Sequence, residues 1–168
     1  MLKHIVPLIR KRRRQKPQNL DMHEVKFEEG LDKIWAKDPR YARDAYLFVK
    51  EALDHTQKTI IKENKGGVRH VTGQELLRGI RELALTQFGP MAMTVLEEWG
   101  IRACEDFGEI VFNMVEGELL AKTEKDSRAD FAGGYNFVEA FRNPFLPSSK
   151  QVPATPVRKT VGDDVRSL

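Results

Sequence analysis

The sequence predicts a mainly α fold: a helical domain with a C-terminal β-hairpin, a winged-helix-like arrangement over residues 72–137. Three observations carry that expectation. Apolar residues recur at the helical period through successive stretches, glycine and proline punctuate the ends of those stretches, and after Leu119 the period gives way to polar turn residues.

Phe27, Leu31, Ile34 and Trp35 fall at i, i+4, i+7 and i+8, one apolar stripe that Asp38-Pro39 stops. Tyr41, Ala45, Phe48, Val49, Ala52, Leu53, Thr56 and Ile60 continue the pattern as the longest helix, which ends in the loop Lys65-Gly66-Gly67. Thr72-Gly-Gln-Glu75 then has the capping-box spacing, in which the hydroxyl and the carboxylate each satisfy an orphan backbone donor. Leu76, Leu77, Ile80, Leu83, Ala84 and Phe88 make the stripe that follows. Gly89 suits a helix C-cap, and Pro90 suits the first turn of a helix through Met91, Val95, Leu96 and Trp99 that Gly100 ends. Asp106 to Glu109 reads as a second capping box, opening Phe107, Ile110, Val111, Met114, Val115 and Leu119. The predicted core is Phe48, Leu76, Ile80, Leu83, Trp99, Ile110, Val111 and Met114. From Leu120 to Phe137, polar turn residues flanked by sparse apolar ones fit a hairpin with Lys125-Asp126-Ser127-Arg128 near its tip.

Charge divides the chain into three parts. Residues 1–20 carry seven basic side chains and no acidic one, including Arg10, Lys11, Arg12, Arg13, Arg14 and Lys16, and read as a disordered arm. Residues 21–142, the single helical domain, hold 17 basic and 23 acidic side chains, a net of −6. Residues 143–168, with Pro144, Pro147, Pro153 and Pro156, read as a flexible tail packed at its start through Phe145 and Leu146. The sequence pI near 9.0 therefore belongs to the ends and not to the domain.

No apolar run approaches the roughly 18 residues a bilayer span needs. The charges follow the short apolar stretch Ile5 to Ile9, the reverse of a secretory signal, and Cys104, the single cysteine, cannot form an internal disulfide; the cytoplasm is the expected compartment.

Few residues carry chemistry. Asp106-Phe-Gly108 matches the kinase magnesium triplet in letters, without the glycine-rich loop, strand lysine and His-Arg-Asp that role requires, and reads as a helix cap. His55, His70 and Cys104 have no metal-ligand spacing, so neither a metal nor a cofactor is expected. Cys104 before a capped helix has the setting of a reactive thiolate, against the plainer role of core filler beside Ile101 and Phe107. His70 is a general-base candidate, against the plainer role of bonding the loop that leads into Thr72. Glu97, Glu98, Glu105, Asp106, Glu109, Glu116 and Glu118 face one base, Arg102, between Met91 and Leu119, a charge pattern that repels DNA phosphates from the third helix of a winged-helix unit.

Arg40 to Leu53, His70 to Leu77, Gly79 to Ala84, Gln87-Phe-Gly89, Trp99-Gly-Ile101 and Asp106 to Phe112 together resemble a family of bacterial proteins of unknown function, over roughly residues 25–142. That resemblance implies no activity and transfers no site residues.

The resulting expectation is a non-enzymatic interaction module: an acidic helical domain binds a protein partner and the basic arm contacts nucleic acid, RNA or the ribosome included. The alternatives are a winged-helix DNA-binding regulator using Lys122, Lys125 and Arg128, a small enzyme built around His70 or Cys104, and membrane-surface contact through residues 1–16.

Overall fold

In a computed structural model, which describes residues 22–63 and 69–150, the chain folds into five α-helices: α1 (Met22–Lys37), α2 (Arg43–Glu63), α3 (Gly73–Phe88), α4 (Ala92–Glu98) and α5 (Cys104–Glu116). The arm at residues 1–20, the Lys65-Gly66-Gly67 loop and the tail beyond Lys150 lie outside the described residues.

The central seam runs between α2 and α3. A Cβ on Gly79 of α3 would stand 1.9 Å from Thr56 Oγ1 of α2, so only glycine allows this approach. Thr56 itself is buried, its hydroxyl donating to the Ala52 carbonyl at 2.7 Å within its own helix. Six of the eight predicted core residues are buried, while Trp99 and Val111 are half-buried at the edge of the same cluster. Trp35 departs from expectation: it is 45% exposed, because Leu31 and Ile34 take the interior positions and the next residue turns toward solvent.

Helix ends follow their local chemistry. Thr72 caps α3 as its spacing predicts, with the Glu75 amide donating to Thr72 Oγ1 at 3.3 Å and the Thr72 amide donating to Glu75 Oε2 at 3.0 Å. For α5 the expected box is displaced. The helix begins at Cys104, and Asp106 sits inside its first turn, its Oδ2 accepting from the amides of Arg102 at 2.8 Å and Ala103 at 3.0 Å. Alanine has no side-chain acceptor, so only the reach-back half of the box exists here. Between α4 and α5, Gly100 adopts φ +86, and a Cβ there would meet the Arg40 carbonyl oxygen at 2.4 Å. Next to it the Ala42 amide donates to the Trp99 carbonyl at 3.1 Å, joining the α1–α2 turn to the α4–α5 turn.

The hairpin expected over Leu120 to Phe137 is not formed: these residues contain no strand, only turns and one 3-10 turn, Arg128–Phe131. Two carboxylates explain why. Asp126 Oδ2 accepts from the Thr123 amide at 2.6 Å, and Asp130 Oδ2 accepts from the Ser127 amide at 2.8 Å, so amides that a ladder would need are spent on local turns. The segment is instead fastened sideways. Phe131 is buried against Gly108 of α5, and Gln74 Nε2 of α3 donates to the carbonyls of Asp130 at 2.8 Å and Ala132 at 3.3 Å.

Beyond it, Phe137 and Phe141 are buried and pack edge-on at 5.2 Å, with Phe141 in a wide helical turn, Val138–Arg142. Phe145 is 44% exposed and Leu146 half-buried, so Phe141, rather than the expected Phe145, anchors this end.

Candidate functional site

A cleft of about 290 Å³ opens where α2, the start of α3, α5 and the segment after α5 converge. Its apolar wall comes from Val49 and Leu53 of α2, Leu76 of α3, and Val111, Phe112 and Val115 of α5. The helical stripes that build the core also build this wall, at positions where no large side chain fills the gap.

Polar groups line it as well: Gln57, His70, Thr72, Lys122, Asp126 and Asp130. His70 Nε2 lies 2.9 Å from Asp126 Oδ2, which links the strap before α3 to the segment after α5. Burial alone would raise the Asp126 carboxyl, but the bonds from Thr123 and His70 outweigh it and hold the group below the usual carboxylate range. Lys122 Nζ stands 5.3 Å from the centre of the Phe112 ring, with no carboxylate at ion-pair distance among the described residues.

A charged shell surrounds the outer side of α5. Arg40 donates to Asp38 and reaches Glu109 at 3.3 Å; Arg128 meets Glu109 at 3.0 Å and Glu116 at 2.8 Å, its guanidinium 4.8 Å from the Phe112 ring centre. The Arg40 side chain, helped by Asn113 at 2.9 Å, holds the Asp38 carboxyl far below its ordinary value. Arg128 likewise lowers Glu116. Arg128 therefore neutralises α5 instead of presenting a free cation, and its partners are not the neighbouring Glu124, Asp126 and Asp130 but residues of the preceding helix.

The remaining sequence candidates separate cleanly. Arg10, Lys11, Arg12, Arg13, Arg14 and Lys16 lie outside the described residues. Cys104 is buried, exchanging 3.4 Å hydrogen bonds with the Tyr135 backbone, and burial pushes its thiol up, the opposite of an activated thiolate. His70 and Cys104 line different cavities, so no site unites them. Asp106 of the Asp-Phe-Gly triplet caps α5 and accepts the Tyr41 hydroxyl at 2.7 Å. Among the described residues no three His, Cys, Asp or Glu side chains are grouped to hold a metal ion, and no helix is long and apolar enough to cross a membrane.

Of the seven clustered carboxylates, Asp106, Glu109 and Glu116 are engaged within the fold, while Glu97, Glu98, Glu105 and Glu118 are exposed. Sequence reasoning missed the cleft and its clasp. The paired spacings Thr123-x-x-Asp126 and Ser127-x-x-Asp130 are the signal that marks the turns placing Asp126. No family model, curated protein or solved structure matches the chain.

Proposed function

We propose that the chain is a non-enzymatic interaction module, in which the basic arm contacts nucleic acid, RNA or the ribosome included, while the acidic helical domain binds a protein partner. One observation supports it above others: four of the eight arginines among the described residues are taken up in ion pairs with the domain's own carboxylates. Arg40, Arg43, Arg69 and Arg128 each pair with a carboxylate, whereas residues 1–20 hold seven basic side chains and no acidic one. A polyanion gains most where cations have no partner to give up.

The winged-helix DNA-binding alternative loses support, because the segment that would form the wing has no strands and its Arg128 is committed to Glu109 and Glu116. Exposed Glu97, Glu98, Glu105 and Glu118 instead suit a partner with a basic surface.

Deleting residues 1–18 tests the arm. Retention on immobilised RNA should vanish, the intact chain should show a steep loss of binding with salt, and the melting temperature of the domain should stay unchanged. Retention that survives the deletion refutes the proposal.

A further inference from the structure

We propose that the cleft between α2, α3 and α5 is the seat of the chain's own apolar stretch Ile5–Ile9. The seat follows from the cleft and the stretch themselves and does not depend on what the basic arm contacts.

Position favours it. Residues 1–21 lie outside the described residues and join them at the start of α1. Phe27 of α1 faces Lys50 of α2, whose Nζ is 5.2 Å from the ring centre, and Asp32 pairs with Arg43, so the two helices run antiparallel. Carried back to Met22, α1 begins level with the turn of α2 that bears Leu53, a residue of the cleft wall. Gly30 of α1 lies against Leu119, the neighbour of another lining residue, Leu120. The twelve residues 10–21 reach up to about 40 Å, more than the roughly 30 Å length of α2. The C-terminal end of the described chain is placed differently, following the wide turn Val138–Arg142 that packs on α3 and α4.

Chemistry favours it too. The stretch Ile-Val-Pro-Leu-Ile is aliphatic, with Lys3 before it and Arg10 directly after it. Val49, Leu53, Leu76, Val111 and Val115 give the cleft an aliphatic wall. Its two carboxylates suit the basic flanks: Asp126 bonds the Thr123 amide and His70, Asp130 bonds Ser127, and both keep further acceptor sites. The one lysine of the lining, Lys122, already acts on Glu116. Pro7 disfavours helix at Val6, and an extended stretch turns alternate side chains to one face, Ile5 with Ile9 or Val6 with Leu8. At about 30 Å³ per water-sized group, 290 Å³ holds roughly ten non-hydrogen atoms, enough for either pair.

A contact of that size has a Kd on the order of 1 mM, close to the effective concentration of a short tether. Seated and released forms are then about equally populated. Seating raises the folding constant only about twofold and moves the melting temperature by no more than about 2 °C.

Methyl spectra of the full chain test this. Ile5→Ser, Val6→Ser, Leu8→Ser and Ile9→Ser together should shift the methyl resonances of Leu53, Val111, Val115 and Leu120, although all seven basic side chains of the arm remain. A free peptide of residues 1–14, added to that variant, should move them through the parent's positions to a saturated limit, with the parent about midway. Lys3→Glu with Arg10→Glu in the peptide should weaken it about threefold. Val115→Phe in the serine variant should abolish the peptide response by filling the cleft. Val152→Ser with Val157→Ser in the parent chain should leave the four resonances in place. Coincident resonances in parent and serine variant, no saturable peptide response, a response that survives Val115→Phe, equal binding of the charge-reversed peptide, or a shift caused by the Val152 and Val157 changes overturns the proposal.

Discussion

Phe48 and Val49 are adjacent on α2, both buried, and lead to opposite outcomes. On the Phe48 side, Phe88 and Trp99 complete a triangle of rings with every centroid pair 5.6 Å apart, and the space between α2, α3 and α4 is filled. On the Val49 side, the helices meet through Leu53, Val111 and Val115, and a cleft remains. Both sides satisfy the same apolar periodicity. Side-chain volume, not pattern, decides whether a helical seam becomes core or site.

The contrast can be broken most strongly at its filled end. Phe48→Ala should cost about 3 to 5 kcal/mol, read by denaturant unfolding, since it removes the ring common to two of the three contacts and leaves a void among rigid neighbours. A loss below about 1 kcal/mol would show that the triangle does not hold α2 against α4.

Val115→Ala should cost about 1 kcal/mol or less, because the side chain lines the cleft and is only partly buried. A cost matching Phe48→Ala would mean that the cleft wall is as tightly packed as the triangle.

The smallest effect is electrostatic and sits in the first turn of α3. Hydrogen bonds from Arg69, then from the Thr72 amide, lower the Glu75 carboxyl to about 2 from an ordinary 4.5. A depressed carboxyl stabilises the fold above its unfolded value, and the contribution fades as pH falls through the folded one. The melting temperature of Glu75→Gln should therefore fall below that of the parent chain at neutral pH, with the gap narrowing between pH 4.5 and 2. A gap independent of pH would assign the effect to shape rather than charge.

Much of the helical framework is legible because its signals are local. Thr72-x-x-Glu75 and Gly100 act within a turn of themselves and mark their helix ends as read, while Pro90, expected in the first turn of the next helix, lies in a 3-10 turn, Gly89–Met91, ahead of α4. Asp106 misled by one half-motif: its carboxylate reaches back to amides preceding it, which places α5 three residues earlier than a side-chain cap at Asp106 would. The region after Leu119 misled because polar residues between apolar ones suit either a hairpin tip or a chain of carboxylate-closed turns, and the Thr123 and Ser127 spacings favour the latter. The cleft was not legible. Val111 and Val115 occupy the same stripe as buried Met114, and their exposure depends on how a distant segment happens to lie across them.

Gly100 has a consequence for how the molecule breathes. The Arg40 carbonyl is pressed onto its backbone and the Ala42 amide is held by Trp99, so two bends distant in the chain share one set of bonds. Neither bend can loosen alone. The Ala42 proton is exchanged with solvent only when the start of α2 and the end of α4 part together, making this junction a cooperative unit whose opening frequency a single amide reports.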